Sequence, residues 1–427
     1  MTAVVGILNR KAVAIAADSA VSIGGKIYNN ALKIFTLSKY YPIGIMIYQS
    51  ANFMNTPWET IIKMFRQKLD DKELDTVEAY QIEFIKYLKE MNFFSSEQDQ
   101  KTYLEVLIYQ LLNVINKGVI GKMFPKDWDA NDKAIFLAHI EKHLDDNYFV
   151  HLNTYVTCDD FTNYSIDEYL QYCDSIIKSV YEQYYNGVTI TDNIKNKLNK
   201  MFYLLHKGKE SFSPYSGLIF VGFGEKEIYP ALVPIIVSFA FDKKLKYYVW
   251  EQRKTNITND YFMRSSITPF ADTDAMQTIL TGIEPKLEKT YLDNFKRFFE
   301  KYNDDIINVL GAAGTNVATK IKSLDISTLT QQYENSMTAD KQENYIAPLL
   351  DAVANLSKED LAELAESLIY LTYLQKRITF AEENVGGSVD VAIISKGDGF
   401  VWIKRKHYFK PELNHNFLEN YLYKPKK

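Results

Sequence analysis

The chain has 427 residues, a formal net charge of −5 and 47% hydrophobic residues, which is typical of a globular protein with a packed core. This length suggests two or three domains. The low content of Gly and Pro (18 and 11 residues) argues against a disordered or collagen-like chain, and the negative charge does not favour nucleic acid as a partner. The longest apolar run, residues 231–241, is too short to span a bilayer, and no signal peptide is recognisable. We therefore expect a cytoplasmic protein with no membrane partner.

The first 50 residues alternate short apolar runs with turn-forming residues. Such runs are typical of strands that are buried on both faces. Residues 3–8 and 13–17 predict a hairpin, and residues 33–37 and 43–48 predict two further strands.

A long helical block follows, from about residue 57 to residue 209. Asp75 to Glu78 resembles a capping box, and an amphipathic stripe runs from Val77 to Met91. Similar patterns predict helices over residues 102–115 and 165–185.

Strands return at residues 216–224, 231–241 and 246–251, and a second helical block spans about residues 273–373. A capping box at residues 357–360 begins its last helix, whose apolar stripe consists of Leu361, Leu364, Leu368 and Leu371. Residues 388–394 and 400–403 predict a closing hairpin. Because strict βαβ alternation is absent, this order favours antiparallel sheets with helices packed outside over a Rossmann-type fold.

Thr2 follows the initiator methionine, so removal of Met1 would make it the first residue. A threonine with a free α-amine carries a nucleophile and a base on one residue, because that amine has a pKa of about 7.7–8.0 and is partly neutral at neutral pH. The alternative is that Thr2 simply begins a strand, and the residue type alone favours this alternative.

The residues around Thr2 carry a family resemblance. Five short elements occur in order over about 45 residues: Thr2 to Gly6, Ala16-Ala-Asp-Ser19, Gly24-Gly25, Lys33-Ile-Phe35 and Pro42-Ile-Gly-Ile45. The series resembles the N-terminal signature of proteasome β-type subunits and their bacterial ATP-dependent peptidase relatives, which are threonine peptidases of the N-terminal nucleophile (Ntn) hydrolase superfamily. The similarity resumes at Trp58-Glu59, at residues 356–373 and at residues 386–390, and it covers about 200 residues in all.

The resemblance implies a catalytic trio. Thr2 would attack a carbonyl through its hydroxyl, with its α-amine as general base. Lys33 would lower the pKa of the nucleophile, and Asp18 would pair with Lys33 and orient it. Thr2 and Asp18 are sixteen residues apart, as in the family, whereas Asp18 and Lys33 are fifteen apart, one fewer than in the family.

The supporting residues match less well. The resemblance implies that the backbone N–H of Tyr48 is the oxyanion donor, at a position where the family has glycine. The family's auxiliary serine has no clear counterpart, and Ser266 lies near the expected place. The auxiliary aspartate aligns with Glu382, and its serine partner aligns with Val385.

The fold implied by the resemblance is α+β, a four-layer αββα sandwich of antiparallel sheets with two large helical insertions. The core would comprise residues 1–58, 210–272 and 356–427, and the insertions residues 59–209 and 273–355. The expected activity is hydrolysis of an amide bond, within a peptide, by an N-terminal threonine that needs no metal and no cofactor. A homo-oligomeric ring and an ATPase partner are also implied.

Three alternatives stay open at this point. The chain could be a catalytically inactive scaffold or assembly protein of the same fold, or an amidase of the same superfamily that cleaves a small amide. It could also be a helical interaction module that uses the β core only as a platform.

The remaining motifs have plainer explanations. His139 and His143 have a spacing that can bind zinc, but no third ligand is obvious, so we expect a solvated helix face. The basic residues 404–407 are likewise expected to be solvated. Cys158 and Cys173 are too few for a disulfide framework and are expected to be reduced and structural.

Overall fold

A computed structural model describes residues 2–23, 26–121, 128–149, 156–185, 188–209, 214–310, 317, 320, 326–379, 386–407, 409–410 and 413–414. Its strands are β1 (Ala3–Asn9), β2 (Val13–Ala17), β3 (Val21–Ile23), β4 (Lys26–Tyr28), β5 (Ile34–Thr36), β6 (Ile43–Gln49), β7 (Asn52–Phe53), β8 (Thr56–Pro57), β9 (Ser216–Gly222), β10 (Ala231–Phe241), β11 (Lys244–Val249), β12 (Thr255–Asn256), β13 (Ser265–Ala271), β14 (Asp390–Ser395) and β15 (Gly399–Lys404). Its α-helices are α1 (Trp58–Leu69), α2 (Val77–Glu90), α3 (Glu97–Ile120), α4 (Ala130–Leu144), α5 (Ile166–Tyr184), α6 (Asp192–Lys207), α7 (Asp274–Thr281), α8 (Pro285–Leu310), α9 (Ile326–Lys341), α10 (Ala347–Val353) and α11 (Lys358–Ile378).

The chain divides into two units. The first unit consists of residues 1–34, 228–231 and 255–427, and the second of residues 35–227 and 232–254. Each unit contains an antiparallel sheet and helices, so the expected α+β class is confirmed.

The sheet of the first unit has the strand order β13-β1-β2-β14-β15. Every residue of β1 and β2 is buried, which agrees with their nearly continuous apolar runs. The two strands pair antiparallel, with Val4 opposite Ala17, and β14 pairs antiparallel with β15, so both predicted hairpins are confirmed. The two hairpins are neighbours in the sheet, because β2 pairs antiparallel with β14.

Helix α11 covers one face of this sheet. Its capping box is confirmed, because the Ser357 hydroxyl accepts a hydrogen bond from the Asp360 amide and the Asp360 carboxylate accepts one from the Ser357 amide. Leu361 and Leu368 are buried in a core with the alternate residues of β1 and β2 that point to this face. Leu371, the fourth residue of the predicted stripe, is instead 43% exposed, because the buried face of the helix runs through Ile369 and Thr372 and leaves Leu371 to one side.

The sheet of the second unit has the strand order β11-β10-β9-β6-β5. Helix α2 packs on it through Phe84, whose ring lies 5.5 Å from that of Phe220 on β9. Helix α2 begins one residue later than the sequence predicts, because Thr76, not Asp75, accepts the capping hydrogen bond from the Ala79 amide. The start of α1 is fixed by Trp58, whose buried indole N–H donates to the Ser216 hydroxyl over 2.7 Å.

Helices α3 to α6 follow in the same unit, and their cysteines lie in its interior. Cys158 and Cys173 are both free and buried. Burial raises the pKa of the Cys158 thiol to about 11 and that of Cys173 to about 12, so both stay protonated at neutral pH. Among the described residues, no helix combines the length and the apolarity that crossing a bilayer requires.

His206 in α6 makes the stability of this unit dependent on pH. The residue is fully buried, and its Nδ1 lies 2.8 Å from the hydroxyl of Tyr169. Desolvation lowers the pKa of His206 well below its usual value, and the Lys246 ammonium acts in the same direction. Below about pH 6.5 the unfolded chain therefore binds a proton that the folded chain does not, and stability is lost as the pH falls.

We expect a His206→Gln variant to lose less stability on acidification than the wild type. The difference approaches about 1.4 kcal/mol per pH unit below about pH 6.5, measured as the free energy of unfolding in denaturant. The matched control is His139→Gln, the same change at an exposed position of α4, which should lower the free energy of unfolding little. Equal acid sensitivity of the His206 variant and the wild type would contradict the assignment.

Candidate active site

Thr2 is held at the beginning of β1 from both sides. Its side chain is buried, and its carbonyl oxygen accepts a hydrogen bond from the Asp272 amide over 2.9 Å. The next residue, Ala3, donates its amide to Oδ1 of Asp18 over 2.9 Å. The backbone on either side of the Thr2 carbonyl is therefore fixed to two neighbouring segments of the first unit.

The buried carboxylate of Asp18 accepts hydrogen bonds from four donors. Asp18 directly follows β2 and is 1% exposed. Its Oδ1 accepts from the Ala3 amide and from Lys33 Nζ, whereas its Oδ2 accepts from the amides of Ala20 (3.0 Å) and Gly386 (3.2 Å). Four donors thus satisfy a carboxylate that burial alone would make very unfavourable.

Lys33 is buried beside Asp18. Its Nζ donates to Asp18 Oδ1 over 2.6 Å and to the carbonyl oxygen of Ala20 over 2.6 Å. Burial lowers the pKa of Lys33, and the adjacent Asp18 carboxylate opposes this effect without cancelling it. The spacing of fifteen residues is bridged by the β3–β4 hairpin, and the Ala31 amide donates to the Ser19 carbonyl on the way back.

A single carboxylate oxygen connects Lys33 with the first strand. Because Asp18 Oδ1 lies 2.9 Å from the Ala3 nitrogen and 2.6 Å from Lys33 Nζ, the separation of these two nitrogens cannot exceed the sum of the two distances. The Ala3 nitrogen is bonded directly to the carbonyl carbon of Thr2. The structure therefore brings together the three residues of the predicted trio.

Gly386 and Gly387 also reach this cluster. Gly386 donates its amide to Asp18 and accepts the amide of Ser19 at its carbonyl oxygen over 3.1 Å. Gly387 has a φ of +76°, and a Cβ on it would lie 2.9 Å from Cβ of Asn29 and 3.2 Å from Cβ of Ser19. Only glycine fits there without strain. A pocket of about 260 Å³ opens beside the cluster, lined by Asp18, Ile369, Tyr370, Tyr373, Gly386, Gly387 and Val389.

A second buried ion pair adjoins the first, and the sequence analysis missed it. Lys406 Nζ lies 2.6 Å from Asp390 Oδ2 and 2.6 Å from the Ser19 hydroxyl, which in turn donates to the Ser388 carbonyl. Asp390 is 2% exposed and the Lys406 side chain is 14% exposed. The expectation that residues 404–407 are all solvated is therefore wrong for Lys406.

The register of the closing hairpin could have identified this pair. β14 and β15 pair antiparallel with Val391 opposite Lys404, so the chain just beyond β15 lies beside the beginning of β14, where Asp390 stands. The charge pattern alone gave no indication, because a short basic run is usually solvated.

The predicted auxiliary residues are not found beside Thr2, Asp18 and Lys33 among the described residues. Ser266 lies on β13 opposite Leu8, and its hydroxyl is 3.0 Å from that of Thr268. On the same ladder Ala3 pairs with Ala271, so Ser266 lies five residues, or about 17 Å, from the end of β1 that carries Thr2. The structure does not bring Ser266 to the trio. Glu382 and Val385 lie outside the described residues.

Tyr48 belongs to the second unit and is buried on β6. Its ring lies over Gly217 on the neighbouring strand β9, where a Cβ would come within 1.8 Å of the ring. The Tyr48 ring therefore occupies the space that any side chain at position 217 would need. The role of the Tyr48 amide as an oxyanion donor stays a prediction.

The arrangement in the first unit provides a buried hydroxyl-bearing residue just before β1 and a buried carboxylate that binds both the Lys33 ammonium and the amide of the residue after Thr2. These are groups suited to nucleophilic catalysis in which a nearby cation activates the nucleophile. No protein-family model matches the chain, and comparison with curated proteins finds no significant match, so the assignment of a function depends on this geometry and on the sequence resemblance.

Proposed function

We propose that the chain is a threonine-type N-terminal nucleophile hydrolase that cleaves amide bonds, in peptides, after removal of Met1. The observation that carries this proposal is the shared contact at Asp18 Oδ1, which binds both the Lys33 ammonium and the amide that follows Thr2. This contact supports the proposal because it places the Lys33 ammonium near the backbone that follows Thr2.

The proposed reaction uses only groups of this chain and water. The free α-amine of Thr2 takes the hydroxyl proton while Oγ1 bonds to the carbonyl carbon of the substrate amide. The amide nitrogen leaves with that proton, and the acyl group stays on Thr2 as an ester. Water then adds to the ester carbon, which releases the acid and restores the hydroxyl and the amine.

Lys33 would act on the charge that develops in this reaction. A buried ammonium close to Thr2 lowers the pKa of the hydroxyl and stabilises the negative oxygen in the transition state. Its own lowered pKa reflects the same desolvation, which strengthens every electrostatic interaction around it. Asp18 would be a positioning residue, because all four of its described contacts hold backbone or Lys33 in place.

The fold that belongs to this proposal is the four-layer αββα sandwich. Each unit of the chain has an antiparallel sheet with a helix packed on one face, α11 in the first and α2 in the second. A sheet with one helical layer is half of such a sandwich, and this is the support that the two units give to the proposal.

An inactive scaffold explains the buried ion pair less well. Lys33 and Asp18 are almost wholly desolvated, and burying two charges can lower stability even when they are paired. A scaffold would gain as much from apolar side chains of similar volume, whereas a nucleophile needs the cation. The ion pair therefore favours a chemical role.

The proposal is tested by the intact mass of the purified full chain before and after exposure to a peptide epoxyketone. This probe requires both a threonine hydroxyl and a free α-amine, since the first adds to its ketone and the second opens its epoxide. We expect a mass that lacks Met1 and a single adduct on the peptide that begins with Thr2. Retention of Met1 or acetylation of the amine would refute the mechanism, and a free Thr2 without adduct would favour the scaffold.

The substrate class is tested separately on the same protein. We expect turnover of peptides in a panel that also contains asparagine-type amides and acyl-homoserine lactones. Turnover of the small amides alone would support the amidase alternative and reject the peptidase.

A further inference from the structure

Helix α8 carries a row of exposed apolar side chains that lie outside the candidate active site. Leu287, Tyr291, Phe298, Tyr302 and Val309 are between 44% and 88% exposed. They follow one another at steps of four, seven, four and seven residues. At about 100° per residue, these positions fall within an arc of about 60°, so they form one straight stripe along the helix.

The face of α8 directly beside this stripe already packs within its own chain. Phe295 stacks on Tyr333 of α9 with ring centroids 4.1 Å apart and planes 8° from parallel. Glu288 on the same side forms an ion pair with Lys341. The helix is thus anchored by the face that carries Phe295, while the apolar stripe faces outward. A stripe of this length on a helix is typical of a partner surface.

We propose that this stripe binds a second copy of the same chain, with the two α8 helices antiparallel across a two-fold axis at Phe298. A two-fold interface requires a surface that is complementary to itself. Leu287 and Val309 each lie eleven residues from Phe298, so the antiparallel register places Leu287 of one copy against Val309 of the other. Phe298 then meets its own equivalent on the axis.

The polar residues in the stripe fit the same register. Asp305 and Asn294 point to the side of the helix that carries the stripe, at 0° and about −20° relative to Leu287. Antiparallel pairing about Phe298 sets Tyr291 opposite Asp305 and Tyr302 opposite Asn294. Each tyrosine hydroxyl therefore faces a group with which it can form a hydrogen bond.

The charges along α8 also favour the antiparallel orientation. Residues 285–297 contain four basic and two acidic side chains, whereas residues 298–310 contain one basic and three acidic side chains. This distribution opposes the helix macrodipole, which favours acidic groups at the N-terminus and basic groups at the C-terminus. Most of these charges lie on the side of α8 away from the stripe, so they act across the interface only at longer range. There, antiparallel pairing brings the positive half of each helix closer to the negative half of the other, whereas parallel pairing would bring like charges closer.

The association is tested on the full chain by sedimentation and light scattering over a range of concentrations. We expect a dimer that dissociates on dilution, and a Phe298→Glu variant whose dissociation constant is higher by about a hundredfold or more, because the axis places the two glutamates together. The matched control is Val114→Glu, an equally drastic change at an exposed position of α3, which should leave the dimer intact. A wild type that stays monomeric, or a dimer insensitive to Phe298→Glu, would overturn the proposal.

Cross-linking tests the orientation independently of affinity. Both native cysteines are buried, so a cysteine introduced on the stripe would be the reactive one. With a short bifunctional maleimide we expect Phe298→Cys to cross-link to itself, and a mixture of Leu287→Cys and Val309→Cys to cross-link where neither does alone. Self-linking of Leu287→Cys and of Val309→Cys would show parallel pairing and refute the antiparallel register.

Discussion

Replacement of Thr2 by alanine is expected to abolish the epoxyketone adduct and to lower amide hydrolysis by about 10³-fold or more. The variant keeps the backbone contacts that fix this end of β1, because the Thr2 carbonyl and the Ala3 amide are unchanged. It loses the hydroxyl together with the γ-methyl group, and loss of the nucleophile removes covalent catalysis as a whole. Initial rates and adduct mass on the same preparations provide the measurement.

Two companion variants make this result specific to the nucleophile. Thr2→Ser keeps a hydroxyl beside the α-amine and should retain the adduct. Thr338→Ala removes a hydroxyl on the exposed surface of α9 and should leave the rate unchanged. Hydrolysis by Thr2→Ala at the wild-type rate would show that the nucleophile lies elsewhere.

The Asp18→Ala variant is expected to lower the free energy of unfolding by about 3–5 kcal/mol, because it leaves the Lys33 ammonium buried without its counter-charge. It also removes the acceptor for the amides of Ala3, Ala20 and Gly386. The free energy of unfolding is measured by denaturant titration at neutral pH.

A double-mutant cycle with Lys33→Met separates the ion pair from the other contacts of Asp18. The Asp18→Ala/Lys33→Met protein should be more stable than the sum of the two single effects predicts, because neither charge is then left alone. Strict additivity of the two effects would show that the pair is not coupled in the folded state. Labelling of Thr2 should be lost in all three variants if Lys33 supplies the activating charge.

The elements of the first unit follow from the sequence where local pattern and burial agree. β1 and β2 are continuous apolar runs separated by a turn, so their pairing as a hairpin follows from the local sequence pattern. The centre of the buried face on α11 does not, since Leu371 is exposed whereas the neighbouring Thr372 is buried. Local periodicity predicts an amphipathic helix, but tertiary packing decides which side chains at the edge of its apolar face are covered.

The residues of the candidate site could likewise be predicted only in part from the sequence. The proximity of Thr2, Asp18 and Lys33 agrees with the sequence pattern, and the β3–β4 hairpin takes up the altered spacing, whereas their catalytic roles stay predictions. Lys406 could not be predicted from residue type, because its burial depends on a contact with Ser19 that is 387 residues away in sequence. The prediction of Ser266 depends only on its position along the chain. The register of β13, which pairs Ala271 with Ala3, decides which residue of this strand lies near Thr2.

The contacts of Asp18 and Ser19 have a consequence for biosynthesis. Residues 1–33 are synthesised long before Gly386 and Lys406, whose amide and ammonium complete these contacts. The Asp18 carboxylate, which binds Lys33, thus lacks one of its four donors on a nascent chain that ends before residue 386. For the hydrolase that we propose, the site would therefore acquire its full set of supporting contacts only after residue 406 has been synthesised.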